Sequence, residues 1–216
     1  MRERFRHTEY SIPLPMRRPL TFFVWFIPVI LVGSWVIFPS CSKPEYTIDL
    51  SPIGTLVDFE LTDQNGNVFS KKSMAGKIWI VDFFFTRCPS ICPLLTESME
   101  KVAERWKSEK KVRFLSITVD AEYDQPQILK AFANEHALPQ SRWTFLTGSP
   151  DAIHTLCEES FLLALGSAMK SNGEISHSSR LVLVDSQGQV RGYFDGLDEF
   201  EAPRLDQALQ TLLLEK

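Results

Sequence analysis

Residues 77–93 read KIWIVDFFFTRCPSICP, a nearly continuous apolar run followed at once by two cysteines four positions apart. A short apolar run without polar alternation is typical of a strand covered on both faces, so residues 77–85 are predicted to form a central strand. A helix of about four turns is predicted to follow over residues 94–106. Because α/β sheets carry their chemistry beyond the carboxyl ends of their strands, Cys88 and Cys92 fall where a functional site is expected.

A β-hairpin is predicted before this stretch, and helices alternate with strands after it. The Asn65-Gly66 pair predicts an N-terminal β-hairpin over residues 54–70. Asp124 is expected to cap a helix that has Pro126 in its first turn. The remaining predictions are strands at 112–120, 143–148, 180–185 and 190–194, the last two joined by a turn at Gly188, and helices at 124–136, 151–161 and 199–216. This order predicts an α/β sandwich with a mixed sheet.

The composition indicates one folded domain with a short additional segment. The chain has 216 residues, of which 44% are hydrophobic, and its four cysteines are too few for a disulfide-stapled scaffold. The domain is predicted over residues 53–216, after a linker at 39–52. The net charge is −4 although the first 18 residues contain five arginines, so the body is more acidic than the whole. An acidic body repels phosphate backbones, which argues against nucleic-acid binding.

The N-terminal region predicts a membrane segment. Residues 20–38 contain no charged side chain and directly follow Arg17, Arg18 and Pro19. Such a stretch is close to the ~20 apolar residues that cross a bilayer. Arginines before the span place the basic segment 1–19 in the cytoplasm and the body on the extracytoplasmic side of the membrane.

This membrane segment has two interpretations. It is either an uncleaved signal anchor or a lipoprotein signal that ends at Cys41, where a small residue, Ser40, precedes the cysteine. Translation from Met16 instead of Met1 would give a shorter, signal-like N-terminus. Both interpretations tether the body to the membrane in a compartment where thiols meet oxidants.

The cysteine pair admits several kinds of chemistry. On a helix, Cβ atoms at positions i and i+4 lie about 5–6 Å apart, farther than the ~3.8 Å of a relaxed disulfide. This spacing suits two thiolates on one metal ion, although a rearranged turn could close a disulfide, and inert buried cysteines are a third alternative. Pro89 and Pro93 predict that the turn is not regular helix. Cys88, near a helix N-terminus, is expected to have a lowered thiol pKa.

His177 is the candidate third ligand of a metal site. It follows a polar loop and precedes the predicted strand at 180–185, although from the residues alone an ordinary loop histidine is the favoured interpretation. His7 lies in the cytoplasmic segment, and His136 is expected to be solvated at a helix end. His154, near Cys157, is interpreted as partly exposed beside a core cysteine. Two thiolates and an imidazole favour copper(I), with copper(II) as the second candidate, whereas zinc usually takes four ligands.

Four segments carry a family resemblance. They are FFFTRCPSICP (83–93), LSITVDAEYDQP (115–126), HALPQSRWTFLTG (136–148) and ISHSSRLVLVDSQGQVRGYF (175–194). Together they resemble the Sco (SenC/PrrC) family of copper-binding proteins, from about Gly54 to the C-terminus. The resemblance implies a thioredoxin-like fold with extra N-terminal strands and a membrane tether. It also implies copper bound by Cys88, Cys92 and His177, and delivery of copper to the CuA centre of cytochrome c oxidase, whose subunit II would be the partner.

The chain departs from the family pattern in two places. The family's Asp-Pro and Asp-Thr-Pro are Asp120-Ala121 and Asp124-Gln125-Pro126 here, so both aspartates are present and the loop is expected to be kept. Ser176 stands before His177, where the family usually has Asp or a small polar residue, so a possible charged orienting group is absent.

Three other functions stay open on sequence grounds. In a thiol–disulfide oxidoreductase, Cys88 would attack and Cys92 would resolve. The three residues between the cysteines, where thioredoxin-type enzymes have two, favour metal instead, and only a metal site needs His177. A peroxidase is a weaker match because Thr86 precedes Cys88 by two residues, one short of the peroxiredoxin pattern. The last alternative is a tethered interaction domain that docks partners through its acidic surface.

Overall fold

The computed structural model describes residues 48–163 and 178–215, which build a mixed sheet with helices on both faces. The strand order across the sheet is β1-β8-β7-β4-β5-β6-β2-β3. The strands are β1 (Gly54–Thr55), β2 (Glu60–Asp63), β3 (Val68–Ser70), β4 (Ile78–Phe84), β5 (Val112–Thr118), β6 (Trp143–Thr147), β7 (Arg180–Val184) and β8 (Gln189–Asp195). Within these ranges the predicted α/β class and the mixed sheet are confirmed.

Four of the helices follow the predicted order with shifted ends, and a short helix that was not predicted precedes them. The helices are α1 (Lys71–Met74), which is the unpredicted one, α2 (Ile91–Arg105), α3 (Pro126–Glu135), α4 (Pro150–Thr155) and α5 (Glu201–Leu214). A π-helical turn, Leu156–Ser160, continues directly from α4. Helix α2 begins three residues earlier than predicted, so Cys92 and Pro93 lie in its first turn. Proline is tolerated there because the first N–H groups of a helix have no intrahelical partner.

Strand β4 is the centre of the sheet, as its apolar run predicts. It pairs in parallel with β5 and antiparallel with β7, and all seven of its residues are buried. On one face Ile78, Ile80 and Phe84 pack in a core that includes residues of α2, α3 and α5. On the other face Trp79, Val81 and Phe83 pack in a second core with residues from α4 and the π-helical turn. Burial on both faces explains why the run lacks polar alternation.

The N-terminal hairpin is confirmed, but it is shorter than predicted. β2 and β3 pair across a turn in which Gly66 has a φ of 82°, a left-handed conformation that glycine adopts without strain. Gly54 and Thr55 do not belong to it. They form the separate strand β1, which pairs with β8 at the opposite edge of the sheet.

The prediction that Asp124 caps α3 is wrong. The residue at the N-cap position is Gln125, and Pro126 occupies the first turn as expected. The Asp124 side chain is fully buried and accepts hydrogen bonds from Thr86 and Thr118 instead. Thr118 is the last residue of β5 and Thr86 lies just beyond β4, so their donors compete successfully with the helix N-terminus for this carboxylate.

Several predictions fall on residues that are not described. The cytoplasmic segment 1–19, the span at 20–38, Cys41 and His177 all lie outside the described residues. Within residues 48–163 and 178–215, no helix combines the length and apolar character that a bilayer crossing requires.

Candidate functional site

The two cysteines meet at the carboxyl end of β4. Cys88 lies in the turn between β4 and α2, where its N–H donates to the carbonyl of Phe85 at 3.2 Å. Cys92 is the second residue of α2. Both are free thiols and both are nearly buried, with 6% and 4% of their surface exposed. The predicted pair is therefore brought together in the reduced state, just beneath the surface.

The Cys88 sulfur is surrounded by hydrogen-bond donors. Burial alone would raise its pKa, but hydrogen bonds from the backbone of Ser90, from the thiol and backbone of Cys92 and from the Ser90 hydroxyl together lower the pKa to about 7. The Ser90 Oγ atom lies 3.8 Å from the sulfur. Ser90 is the N-cap residue of α2, and its side chain makes no capping bond. The backbone N–H groups at the start of the helix, which a capping oxygen usually accepts from, therefore donate to the Cys88 sulfur.

Cys92 has the opposite character. Burial raises the pKa of its thiol strongly, and the hydrogen bond that it donates to Cys88 raises it further. The pair therefore consists of one thiol that ionises near neutral pH, Cys88, and one that stays protonated there, Cys92. A metal ion or a disulfide bond would each displace that proton.

This asymmetry predicts different alkylation rates for the two thiols. In the reduced, metal-free protein, iodoacetamide should modify Cys88 at a rate that rises through about pH 7 and then levels off, because only the thiolate reacts. Cys92 should react much more slowly over the same range. Mass spectrometry of peptides quenched at intervals from pH 5 to pH 9 measures both rates. Equal rates with a midpoint near pH 9 would contradict this description of the pair.

A neighbouring loop holds the turn that carries Cys88. This loop joins β5 to α3 and contributes Asp120, Tyr123 and Asp124. Arg87 Nε lies 2.6 Å from Asp120 Oδ2, and the Arg87 guanidinium lies 4.7 Å from the centre of the Tyr123 ring. Asp124 accepts from the Thr86 N–H at 3.0 Å. The sequence predicted that Asp120 and Asp124 belong to one loop, but not that this loop contacts the turn that carries Cys88.

Asp82 also influences the cysteine pair, and the sequence did not identify it as part of the site. It lies within β4 with 1% of its surface exposed, and it accepts a hydrogen bond from Ser116 on β5, whose Oγ in turn accepts from Trp143 Nε1 at 2.8 Å. Burial raises its pKa to about 7. Its negative charge contributes to the raised pKa of Cys92. The available signal was a single acidic residue inside an otherwise apolar run.

The other candidate ligands are separated from the pair, as predicted. Cys157 is fully buried in the core on the opposite face of the sheet from Cys92. His154 is 46% exposed and lies 3.3 Å from Glu158, and His136 is exposed at the end of α3. No group of three His, Cys, Asp or Glu side chains with metal-binding spacing occurs among the described residues, which do not include His177.

The start of β7 lies at the same end of the strands as the cysteines. β7 runs antiparallel to β4, with Val81 paired to Val182, so its first residues approach the end of β4. Just before β7, the Ser179 carbonyl accepts from the Gly196 N–H at 2.8 Å. A Cβ atom on Gly196 would lie 2.3 Å from Leu95 Cδ1 of α2 and 3.2 Å from that carbonyl. The chain that enters β7 therefore passes close to the helix that carries Cys92.

Comparison with known proteins identifies one family. The family model for SCO1/SenC matches residues 51–213. The crystal structure of a SCO1/SenC family lipoprotein from Bacillus anthracis has a TM-score of 0.70 at 31% identity, and the match covers 76% of this chain and 98% of that one.

Two further solved structures are informative. BsSco, described as a member of the Sco family of cytochrome c oxidase assembly proteins with a disulfide switch, has a TM-score of 0.68 at 31% identity, over 77% of this chain and 98% of that one. Bradyrhizobium japonicum ScoI with copper bound has a TM-score of 0.51 at 25% identity, over 71% and 98%. The similarity to BsSco confirms a Sco-like thioredoxin fold with a mixed sheet.

Proposed function

Because the chain belongs to the SCO1/SenC family, we propose that it is a membrane-tethered copper chaperone that assists assembly of the CuA centre of cytochrome c oxidase. One copper ion per chain would be held by Cys88, Cys92 and His177, with copper(I) favoured over copper(II). The recipient would be subunit II of the oxidase. A relative from Bradyrhizobium has been solved with copper bound.

The observation that carries the proposal is the reduced, hydrogen-bonded cysteine pair. The two thiols interact closely enough to shift each other's pKa, so their sulfurs need little rearrangement to meet on one soft cation. Thiolates are the ligand form, and Cys88 ionises near neutral pH, so copper has only the Cys92 proton to displace. Release would proceed by ligand exchange, in which thiolates of the recipient replace those of Cys88 and Cys92.

The topology supports His177 as the third ligand. His177 precedes Ser178 and Ser179, and the chain at Ser179 lies beside Leu95, one turn beyond Cys92 on α2. Two thiolates with one imidazole form the low-coordinate set that suits copper(I).

The tether would keep this site on the extracytoplasmic side of the membrane. Residues 20–38 would serve as an anchor, or Cys41 would carry a lipid. A SCO1/SenC relative from Bacillus anthracis is a lipoprotein.

Replacing His177 with alanine tests the metal site against a purely redox role. Copper(I) affinity should fall because one of three ligands is lost, whereas the rate at which the reduced protein reduces a small disulfide should stay within twofold of wild type. Competition with a copper(I) chelator measures the affinity, and His154→Ala is the matched control because His154 is exposed and distant from the pair. Unchanged copper affinity in His177→Ala would remove the histidine from the proposed site.

A thiol–disulfide oxidoreductase is the second candidate, and the unequal pKa values of the two thiols favour it. The Cys88 thiolate would attack a disulfide sulfur of a partner, and the partner's other sulfur would leave as a thiolate. Cys92 would then lose its proton and attack Cys88. The partner would depart as a dithiol, and this chain would be left with a Cys88–Cys92 disulfide. The two roles are compatible, because copper binds only the reduced pair.

A further inference from the structure

We infer that Asp124 is a positioning residue for the cysteine pair, because its buried carboxylate holds Thr86 and thereby fixes the turn from which Cys88 projects. This inference rests on the proposed copper site and adds to it a residue that does not touch the metal. Asp124 lies 36 positions from Cys88 in sequence, in the loop between β5 and α3.

Three hydrogen bonds define the role of Asp124. One carboxylate oxygen, Oδ2, accepts from the Thr86 N–H at 3.0 Å and from Thr118 Oγ1 at 2.5 Å, and the other accepts from Thr86 Oγ1. None of the Asp124 surface is exposed. A buried carboxylate must have its oxygens satisfied by donors, so these bonds are obligatory for the fold of the loop. Two of the three reach the cysteine turn.

The carboxylate connects that turn to the rigid part of the sheet. Thr118 ends β5 and is paired with Phe84, the last residue of β4. Asp124 is itself fixed by its own N–H, which donates to the Asp120 carbonyl at 2.9 Å. Thr86 is two residues before Cys88, so a shift of Thr86 would change the direction of the Cys88 side chain. The sulfur then would no longer point at both Cys92 and the N–H groups at the start of α2.

A second contact between the same two segments is weaker. Arg87 pairs with Asp120 and covers the Tyr123 ring, but its side chain is 56% exposed, and exposed ion pairs contribute little. Asp124 is therefore the contact that the turn depends on most.

The size of the effect follows from other metal sites. Residues that orient metal ligands without binding the metal typically contribute 10–100-fold to metal affinity. In Asp124→Asn the amide can keep its oxygen on the Thr86 N–H and Thr118 Oγ1 only by turning its NH₂ group towards Thr86 Oγ1, whose hydroxyl must then accept instead of donate. The negative charge that strengthens all three bonds is lost as well. We therefore expect copper(I) affinity to fall by about 10–100-fold.

The experiment compares four variants of the full-length, reduced protein by chelator competition for copper(I) and by urea unfolding. They are Asp124→Asn, Thr86→Val, the double variant and Asp185→Asn. Thr86→Val removes the hydrogen bond from the Thr86 hydroxyl to Asp124 and keeps the one from the Thr86 N–H. Copper(I) affinity should therefore fall less than in Asp124→Asn. The double variant should lose no more copper(I) affinity than Asp124→Asn alone, because Asp124 and Thr86 share a hydrogen bond and the effects of such partners do not add.

Asp185→Asn is the matched control. Asp185 is also a buried carboxylate, with 6% of its surface exposed. It accepts from the Gln187 and Gln189 N–H groups at 2.9 Å each and from Arg191 at 2.8 Å. It lies in the β7–β8 turn, at the opposite end of the sheet strands from the cysteine pair. This variant should lose stability while keeping wild-type copper affinity.

The outcomes separate this inference from the proposed function. Folded Asp124→Asn with wild-type copper affinity would overturn the positioning role, as would an equal loss of affinity in Asp185→Asn. If the wild-type protein binds no copper, the proposed function fails. The positioning role is then decided by iodoacetamide alkylation of metal-free protein at pH 7. It stands if the Cys88 rate changes severalfold in Asp124→Asn and not in Asp185→Asn, and it falls if the rate is unchanged.

Discussion

Replacing either Cys88 or Cys92 with serine should lower copper(I) affinity by well over the ~100-fold that marks the loss of an orienting residue, because a thiolate ligand itself is removed. A hydroxyl is a poor ligand for a soft cation, so a single sulfur and an imidazole would remain. Chelator competition with the reduced, full-length protein measures the affinity, and the stoichiometry should fall from one copper per chain towards zero. The double variant should bind no copper in the same assay.

The chain contains its own control for this prediction. Cys157 is a fully buried free thiol in the core on the other face of the sheet. Cys157→Ser buries a hydroxyl there and should lower stability, but it should leave copper affinity at the wild-type value. Loss of copper in Cys157→Ser together with retention in Cys88→Ser would show that the metal site has been assigned to the wrong cysteines.

The second large effect concerns stability and Asp82. Because this carboxyl is buried in the apolar core, its pKa rises from an ordinary value of 3.8 to about 7. The folded state therefore holds the Asp82 proton more tightly than the unfolded state does. The contribution of that proton to stability is complete below pH 3.8 and is lost as the pH rises through about 7. One pKa unit corresponds to ~1.4 kcal/mol, so the loss amounts to about 4 kcal/mol at most.

Asp82→Asn should remove this pH dependence. Asparagine keeps an oxygen that can accept from Ser116 and carries no charge at any pH. We expect the variant to exceed the wild type in free energy of unfolding by a few kcal/mol at pH 8, with a gap that shrinks towards pH 4. Urea unfolding of both proteins at several pH values measures the difference. A wild type that is as stable as the variant at pH 8 would contradict the burial of an ionised carboxyl at this position.

The central part of the fold could be predicted from local patterns. The apolar run of β4 and the Gly188 turn between β7 and β8 are both found as predicted. Strand β1 could not be predicted, because two residues carry no periodicity and their partner strand lies far along the chain at Gln189 and Val190. The role of Asp124 was mistaken for a similar reason. Its position two residues before Pro126 is typical of a helix cap. The groups that donate to its carboxylate are instead Thr86, just beyond β4, and Thr118, at the end of β5.

The cysteine pair and the direction of the Cys88 pKa shift could be predicted from the sequence, whereas the surroundings of Cys92 could not. The spacing of Cys88 and Cys92 indicated the pair, and the helix N-terminus indicated a lowered pKa for Cys88, which the geometry confirms. The raised pKa of Cys92 and the buried Asp82 beside it depend on how α2 packs over β4, which no local pattern reports. The part assigned to His177 stays a prediction.

X-ray absorption at the copper edge of the reduced protein loaded with one copper(I) ion tests the proposed site most directly. The site predicts two sulfur neighbours and one nitrogen neighbour per copper, with the nitrogen lost in His177→Ala and one sulfur lost in Cys88→Ser. A spectrum with only nitrogen and oxygen neighbours, or one that is unchanged in Cys88→Ser, would contradict the assignment of copper to this pair of thiols.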